Sequence, residues 1–500
     1  MYLLGIDIGT SACKVAIFDL EGKVIATANG DYPVYYPQAG WVEQNPEEWW
    51  SAVASATQAV IAKSGINPGD IAGVGIDGQS WSAIALDKHG KVLTNNPIWM
   101  DNRSEKICAE VNAKLGADNI FNLSGNSLQA PYTTGKILWY QEHMPEVYSQ
   151  IATVLQSNSY IAYCLTGSLS QEVSQGYGLH CFNMRTMQWD DVMCKELGIP
   201  RSFLPEICKC HDVVGKVTKA ASVATGIPEG TPVVAGGLDA ACGTLGVGVI
   251  ADGQTQEQGG QAGGMSIYTT SYSADPRLIL SPHVTSEGWL LQGGTVGGGG
   301  ALRWFEREFG AAERAEGALC GANSFEMLSK SAESISAGSE GVVFLPYMSG
   351  ERSPIWDTNA KGVYFGLDFA KTRGHMARAT MEGVAYSLRH NIEVAEAAGS
   401  AVGTLRAMGG AANSQVWTQL KADITQKPIE VPASDTASTL GAALLAGVGV
   451  GAYKNFEEAT AKTVAVKRYH QPNPANKAIY DEGYDTYLKL YENLKDLMHK

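Results

Sequence analysis

The chain opens on a pattern of period two. Tyr2–Ile8 is an apolar run broken by Gly5 and Asp7, and it reads as a strand ending in the turn Gly9-Thr10-Ser11. Ala12–Asp19 is a second strand and Val24–Ala28 a third, joined by Leu20-Glu21-Gly22-Lys23. The three are expected to run antiparallel. The period then lengthens: Asn45 is placed as an N-cap with Pro46 at the first helical position, and the helix runs to about Ser64. Ile71–Asp77 and Ala83–Asp87 are expected strands, separated by Gly78-Gln79-Ser80-Trp81-Ser82. A helix begins near Ser104, residues 135–168 read as mainly helical, and residues 176–185 as a loop or strand pair.

Near the middle of the chain, Val233-Val234-Ala235 is a short strand, followed by Gly236 and Gly237, then Leu238 and Asp239. Ala240–Gly246 is a helix of small residues that another element can approach closely. A carboxylate between a strand end and such a helix stands where α/β folds place ligands. An N-cap aspartate on a buried helix would explain Asp239 as well. Further on, Gln254–Gly264 is glycine-rich, and Gly293–Gly300 runs into a helix at Ala301-Leu302-Arg303-Trp304-Phe305. Glycines leading into a helix N-terminus favour phosphate approach, and they fit plain tight packing equally. The segment Gly243-Thr244-Leu245-Gly246 is echoed by Ser438-Thr439-Leu440-Gly441. Two related domains are therefore expected, residues 1–248 and 249–500, whose small-residue helices cross as a hinge with a ligand in the cleft. From about Phe456 the chain is expected to form peripheral helices.

Five hundred residues with 45% hydrophobic content can bury more than one core. A formal charge of -14 argues against general binding to nucleic acid or to an anionic membrane, so an anionic substrate must be met locally. The nine cysteines are dispersed without a CxxC pair, which leaves zinc and thioredoxin-like chemistry unsupported and suggests reduced thiols in the cytoplasm. The N-terminus carries no basic leader, and Thr439–Tyr453 is too short to span a bilayer. No GK[ST] triplet occurs, so a Walker A loop is excluded; the hairpin turn at Gly9-Thr10-Ser11 is instead suited to cradling phosphate on backbone amides.

Several stretches together resemble the FGGY family of carbohydrate kinases, within the actin, hexokinase and Hsp70 superfamily and closest to its xylulokinase-like branch. Gly362-Val363-Tyr364-Phe365-Gly366-Leu367 with His375–Glu382 is similar to the family's C-terminal signature, and Leu345–Pro354 is a second match. Gly409-Gly410-Ala411-Ala412-Asn413 resembles its adenosine-binding loop. The resemblance covers about residues 2 to 450. It implies an α/β fold of two ribonuclease-H-like (actin-like ATPase) domains with a catalytic cleft between them. It implies that Asp239 is the catalytic base and that Asp7 holds Mg²⁺ through water. It places ATP against Thr10, Ser11 and Lys14, against Gly260 and Gln261, along Thr295, Gly298 and Gly299, and at Gly409, Gly410 and Asn413. The sugar is expected at Gln79, Ser80, Trp81, Asp101 and Asp239.

Departures from the family pattern fall on the substrate side. Ser80-Trp81 stand where xylulokinases have Met-His, Ala240 stands for Asn, and Gly260-Gln261-Ala262-Gly263 replaces Gly-Thr-Ser-Gly. The N-terminal signature is only partly kept around Lys136-Ile137-Leu138-Trp139. The expected reaction is transfer of the γ-phosphate of MgATP to the terminal hydroxyl of a ketopentose, D-xylulose first. L-xylulose, ribulose, glycerol and gluconate are alternatives, as is a non-catalytic sugar or nucleotide sensor of the same fold. The expected partners are a small sugar and ATP, with no nucleic acid and no membrane; homodimerisation is left open.

Overall fold

The computed structural model describes residues 1–433 and 436–500. The chain forms two α/β domains, each built on a twisted seven-stranded sheet. In the first, β1 (Tyr2–Ile8), β2 (Ala12–Phe18) and β3 (Val24–Asp31) are an antiparallel meander, the third strand running three residues past its expected end. Helix α1 (Pro46–Ser64) is capped as expected, with the Asn45 side chain accepting from the Glu47 N–H, and ends at Gly65 in a left-handed conformation. It buries Trp49, Val53, Ala56 and Val60 on one face of the meander. Strand β4 (Ile71–Gly78) runs parallel to β1, and the sheet continues through β6 (Pro232–Val234) to the edge strand β5 (Val213–Lys216). A short strand, β7 (Gly237–Leu238), also pairs with β4 and leads into α2 (Asp239–Gly246).

The second sheet repeats this plan. Strands β8 (Gly253–Gly259), β9 (Gly263–Thr269) and β11 (Trp289–Thr295) are antiparallel neighbours, with β10 (Ile279–Pro282) on the outer edge. Helix α3 (Gly298–Phe309) follows β11, and α4 (Arg373–Ala397) precedes β12 (Val402–Met408), which lies parallel to β8. Then come α5 (Gln415–Thr425), β13 (Ile429–Pro432) and α6 (Ala437–Gly449). Thus α2 and α6 each follow the inner parallel strand of their own sheet.

These two helices cross as the internal echo suggested. A methyl group on Gly246 would sit 1.9 Å from the Ala437 carbonyl, and one on Gly441 would sit 1.9 Å from the Cys242 carbonyl. Only hydrogen fits at either point. Helix α6 also lies across the first sheet, where Gly5 meets the Thr439 carbonyl and Gly75 the Ala442 carbonyl.

Two local expectations change. Within residues 135–168 a strand, Thr153–Leu155, separates two helices and pairs with Ile84–Leu86; its short, wholly buried Thr-Val-Leu run gains more from a sheet partner than from helix. Residues 176–185 are loop and strand as expected, with Phe182–Asn183 paired to Gln188–Trp189. The C-terminal segment is not purely helical or peripheral. Val466–His470 adds strand β14 to the second sheet, and α7 (Lys477–Met498) buries Tyr480, Tyr484 and Tyr487 in the core. All nine cysteines are free thiols. Among the described residues no helix is long and apolar enough to cross a membrane.

Candidate active site

Parallel pairing sets Asp7 of β1 directly opposite Asp77 of β4, and β7 sets Gly237 opposite Asp77 from the other side. Asp239, two residues further on, is the first residue of α2. Leu238 occupies the cap position, so Asp239 is not the N-cap, and its Oδ1 accepts the Ala240 N–H at 2.6 Å. Gly236 makes this bend: its φ is 82° and its backbone lies against the Ile76 carbonyl, where a Cβ would come within 1.9 Å. Burial pushes the Asp239 carboxyl up to about 7, the Asp7 charge adds to the rise, and the Ala240 N–H opposes it. A half-buried carboxylate poised there can take a proton at neutral pH.

The turn Gly9-Thr10-Ser11 is closed by the Gly9 N–H donating to the Ala12 carbonyl at 3.2 Å. Side chains from four later segments hold it. The Tyr32 hydroxyl donates to the Gly9 carbonyl at 2.6 Å, Gln44 donates to the Thr10 carbonyl at 2.8 Å, and Gln79 donates to Gly9 at 3.3 Å. The Trp99 indole donates to the Thr10 hydroxyl at 3.1 Å, which leaves that hydroxyl's own proton to point elsewhere. Lys14 stands across from Asp7 in the β1–β2 register. The sequence named Thr10, Ser11 and Lys14; it gave no sign of Tyr32, Gln44 or Trp99, whose roles depend on folding.

The second sheet presents the equivalent turn, Gly260-Gln261-Ala262, between β8 and β9. Here α3 docks directly: Gly299 and Gly300 donate their N–H groups to the Gly260 and Gln261 carbonyls at 2.9 and 2.8 Å, and a Cβ on Gly298 would lie 2.1 Å from Ala262. The glycine run therefore serves close packing of α3 on the turn, and those two amides are already engaged. The Thr295 hydroxyl donates to Glu351 at 2.5 Å, and the same carboxylate accepts the Val296 N–H at 2.8 Å. Burial pushes Glu351 up to about 7, against the bonds from Thr295, Val296 and Arg352. Beneath the turn, Lys421 of α5 and Glu257 of β8 form a buried ion pair at 2.5 Å. A cavity of about 680 Å³ opens beside these elements, within the size range of small-molecule sites. Gly260, Gln261, Gly299, Gly410 and Asn413 line it, with Phe325 on the facing wall. Gly409 packs backbone to backbone on Gly259, which joins the 409–413 loop to the turn.

The expected sugar residues divide. Gln79 is buried, donates to Gln44 at 2.8 Å, and keeps Oε1 without a donor. Trp81 has a φ of 61°, packs its ring on Tyr132 at 4.3 Å between centroids, and gives its carbonyl to the Lys136 ammonium at 2.6 Å. Burial brings Lys136 down to about 7. Ser80 is half-buried beside it. Asp101 is different. It is fully buried, and its two oxygens accept the Arg103 guanidinium at 2.7–3.0 Å and the Val42 N–H at 2.7 Å. Arg103 in turn lies 4.0 Å over the Trp41 ring. Asp101 thus forms a buried ion pair with Arg103.

Two sheet–helix domains, each with a glycine-bearing hairpin turn, carry buried carboxylates beside the first turn and a nucleotide-sized cavity beside the second; this is the build of a two-domain phosphotransferase. Residues 2–246 match the N-terminal domain of the FGGY family of carbohydrate kinases and residues 263–450 its C-terminal domain, and the chain belongs to that family. It is a carbohydrate kinase, of a family that uses ATP with a divalent metal ion. It is 32% identical to the xylulose kinase of Bacillus subtilis, over 99% of this chain and 98% of the relative. The structure of a xylulose kinase from Rhodospirillum rubrum superposes with a TM-score of 0.92 at 29% identity, covering 100% of both chains. A gluconokinase from Bacillus subtilis is also similar, 28% identical over 99% of this chain and 96% of its own length.

Proposed function

We propose that the enzyme transfers the γ-phosphate of ATP to the terminal hydroxyl of a ketopentose, converting D-xylulose to D-xylulose 5-phosphate. The observation that carries the chemistry is Asp239: a half-buried carboxylate at a helix start, with its pKa pushed up to about 7, beside a pinned phosphate-type turn. The full-length similarity to xylulose kinases supports the sugar. Asp239 accepts the hydroxyl proton as the sugar oxygen attacks phosphorus in line. The Thr10 hydroxyl, the amides of the turn through Ser11, and the Lys14 ammonium face the transferred phosphoryl group. Gly260 and Gln261 meet the phosphates from the other domain, and Gly299, Gly410 and Asn413 hold the adenosine in the cavity. Thr295 and Gly298 shape the phosphate turn from beneath, and Gly409 fixes the loop that carries Gly410. Gln79 Oε1 receives a sugar hydroxyl, with Ser80 and Trp81 forming the adjacent wall.

Asp7 fits a hard divalent cation. It is a carboxylate beside the first phosphate turn, and the buried Asp77 facing it has no hydrogen-bond donor. Asp7 would hold Mg²⁺ there, through the ion's water shell. When bound, the ion supplies charge neutralisation at the phosphate oxygens.

The similarity to a gluconokinase gives a second reading, an aldonate as acceptor. A coupled ADP-release assay over D-xylulose, L-xylulose, D- and L-ribulose, glycerol and gluconate separates the two by kcat/KM. D-xylulose should lead. If gluconate or glycerol exceeds every pentulose by about tenfold, a gap that pocket hydrogen bonding readily produces, the pentulose assignment fails while the kinase stands.

A further inference from the structure

The mechanism leaves one acid of the cleft without a part. Asp77 is fully buried, and no N–H or O–H donor reaches either of its oxygens. A buried carboxylate ordinarily collects hydrogen bonds or a cation, because an uncompensated charge away from water is costly. Its surroundings supply the opposite. Asp7 faces it across the β1–β4 pairing, and Asp239 lies beyond β7 on the other side. Lys14 stands across from Asp7, on the strand to the other side of β1 from β4.

The direction of the pair is also fixed. Gly5 and Gly75, two residues earlier on each strand, press on α6, and the period of two carries Asp7 and Asp77 onto the same face of the sheet. That places them at the strand ends, next to the turn Gly9-Thr10-Ser11. Acceptor faces acceptor there, an arrangement held by a shared proton or by a cation. Mg²⁺ takes one or two carboxylates and completes its shell with water and phosphate oxygens. Among the described residues no three acidic, histidine or cysteine side chains converge on a metal position, so water and phosphate must fill the remainder.

We propose that Asp77 is a second carboxylate ligand of the divalent cation, forming with Asp7 a two-carboxylate site on the floor of the cleft. This rests on the reading of Asp7 as the residue that holds the cation. Electron paramagnetic resonance of Mn²⁺ titrated into the full-length enzyme with saturating ADP tests it. Asp77→Asn and Asp77→Ser should each weaken Mn²⁺ binding by about tenfold or more, the scale on which loss of a metal-site group is felt. Asp7→Asn should do the same, and ADP affinity without metal should not change. A smaller loss in both Asp77 variants, with Asp7→Asn still impaired, overturns the proposal and leaves Asp77 as a proton-sharing partner. Undiminished binding in all three overturns the reading of Asp7 as well. Weakening by the Asp77 variants alone also overturns the two-carboxylate site.

Discussion

At the scale of single residues, the cleft is organised by acids kept away from water. Asp239 titrates near 7 because burial and the Asp7 charge disfavour its ionised form. As a base it acts only when ionised, so kcat/KM should rise with pH through about 7 and level off above it. Asp239→Asn should lower kcat by about 10²–10⁴-fold, the usual worth of a general base, with little change in ATP binding. The same substitution has a stability consequence of opposite sign. A carboxyl raised in the folded state is already ionised in the unfolded chain between its ordinary value and about 7, so folding binds a proton there and stability falls as pH rises through that window. Asp239→Asn removes this loss and should melt above the wild type at pH 8 in calorimetry. A lower melting temperature would mean that desolvation is not what perturbs Asp239. At Asp7 the expected signature is metal dependence: Asp7→Ala should lose activity that excess Mg²⁺ partly restores, and equal loss at every Mg²⁺ concentration would point away from the cation.

At the scale of elements, a turn three residues long is held by side chains that directly follow β3 and β4, from the segment before α1 and from the 97–103 loop. The Trp99 indole is its one bond to the Thr10 hydroxyl. Trp99→Phe keeps the ring and removes that bond, which is worth about 0.5–1.5 kcal/mol, so kcat/KM for ATP should fall roughly 2- to 12-fold. Unchanged kinetics would show that Thr10 needs no such positioning. The crossing of α2 and α6 is tighter still. Gly441→Val would drive a side chain into the Cys242 carbonyl, where even a methyl has 1.9 Å, and overpacking of this kind costs about 1–3 kcal/mol or more. A lowered unfolding midpoint in denaturant with unchanged slope is the expected result; an unaltered midpoint would mean the helices separate freely.

At the scale of the whole molecule, the two domains are not independent. Helix α6, encoded near the end of the chain, covers Gly5 and Gly75 on the first sheet. A fragment of residues 1–248 therefore lacks the cover of its own sheet and should be unfolded or aggregated by circular dichroism and gel filtration. Co-expression with 249–500 should restore a soluble complex, since burial of that face is what the missing helix supplies. A well-folded 1–248 fragment would show that the helix is dispensable.

Much of this plan is written in the sequence because it rests on local physics. The opening meander, the Asn45 cap and the small-residue helices at Gly246 and Gly441 follow from periodicity, capping chemistry and the space that glycine leaves. The Asp239 bend was legible for the same reason, since two glycines and an acid sit within four residues. Other assignments needed partners distant in the chain. Asp77 read as an ordinary strand residue until parallel pairing set it against Asp7. The buried salt bridge between Asp101 and Arg103 was open to the sequence because the two lie two residues apart, whereas the Val42 N–H on Asp101 needed the fold. The glycines of 293–300 suited either phosphate or packing, and only the fold shows the packing of α3 on Gly260 and Gln261, which engages the Gly299 and Gly300 amides. The C-terminal tail became a strand because β13 offered it an edge. Sequence pattern fixes what a residue can do over one or two turns of chain; which charge is balanced, and which amide is spent, is set by groups that only the fold brings within hydrogen-bond reach.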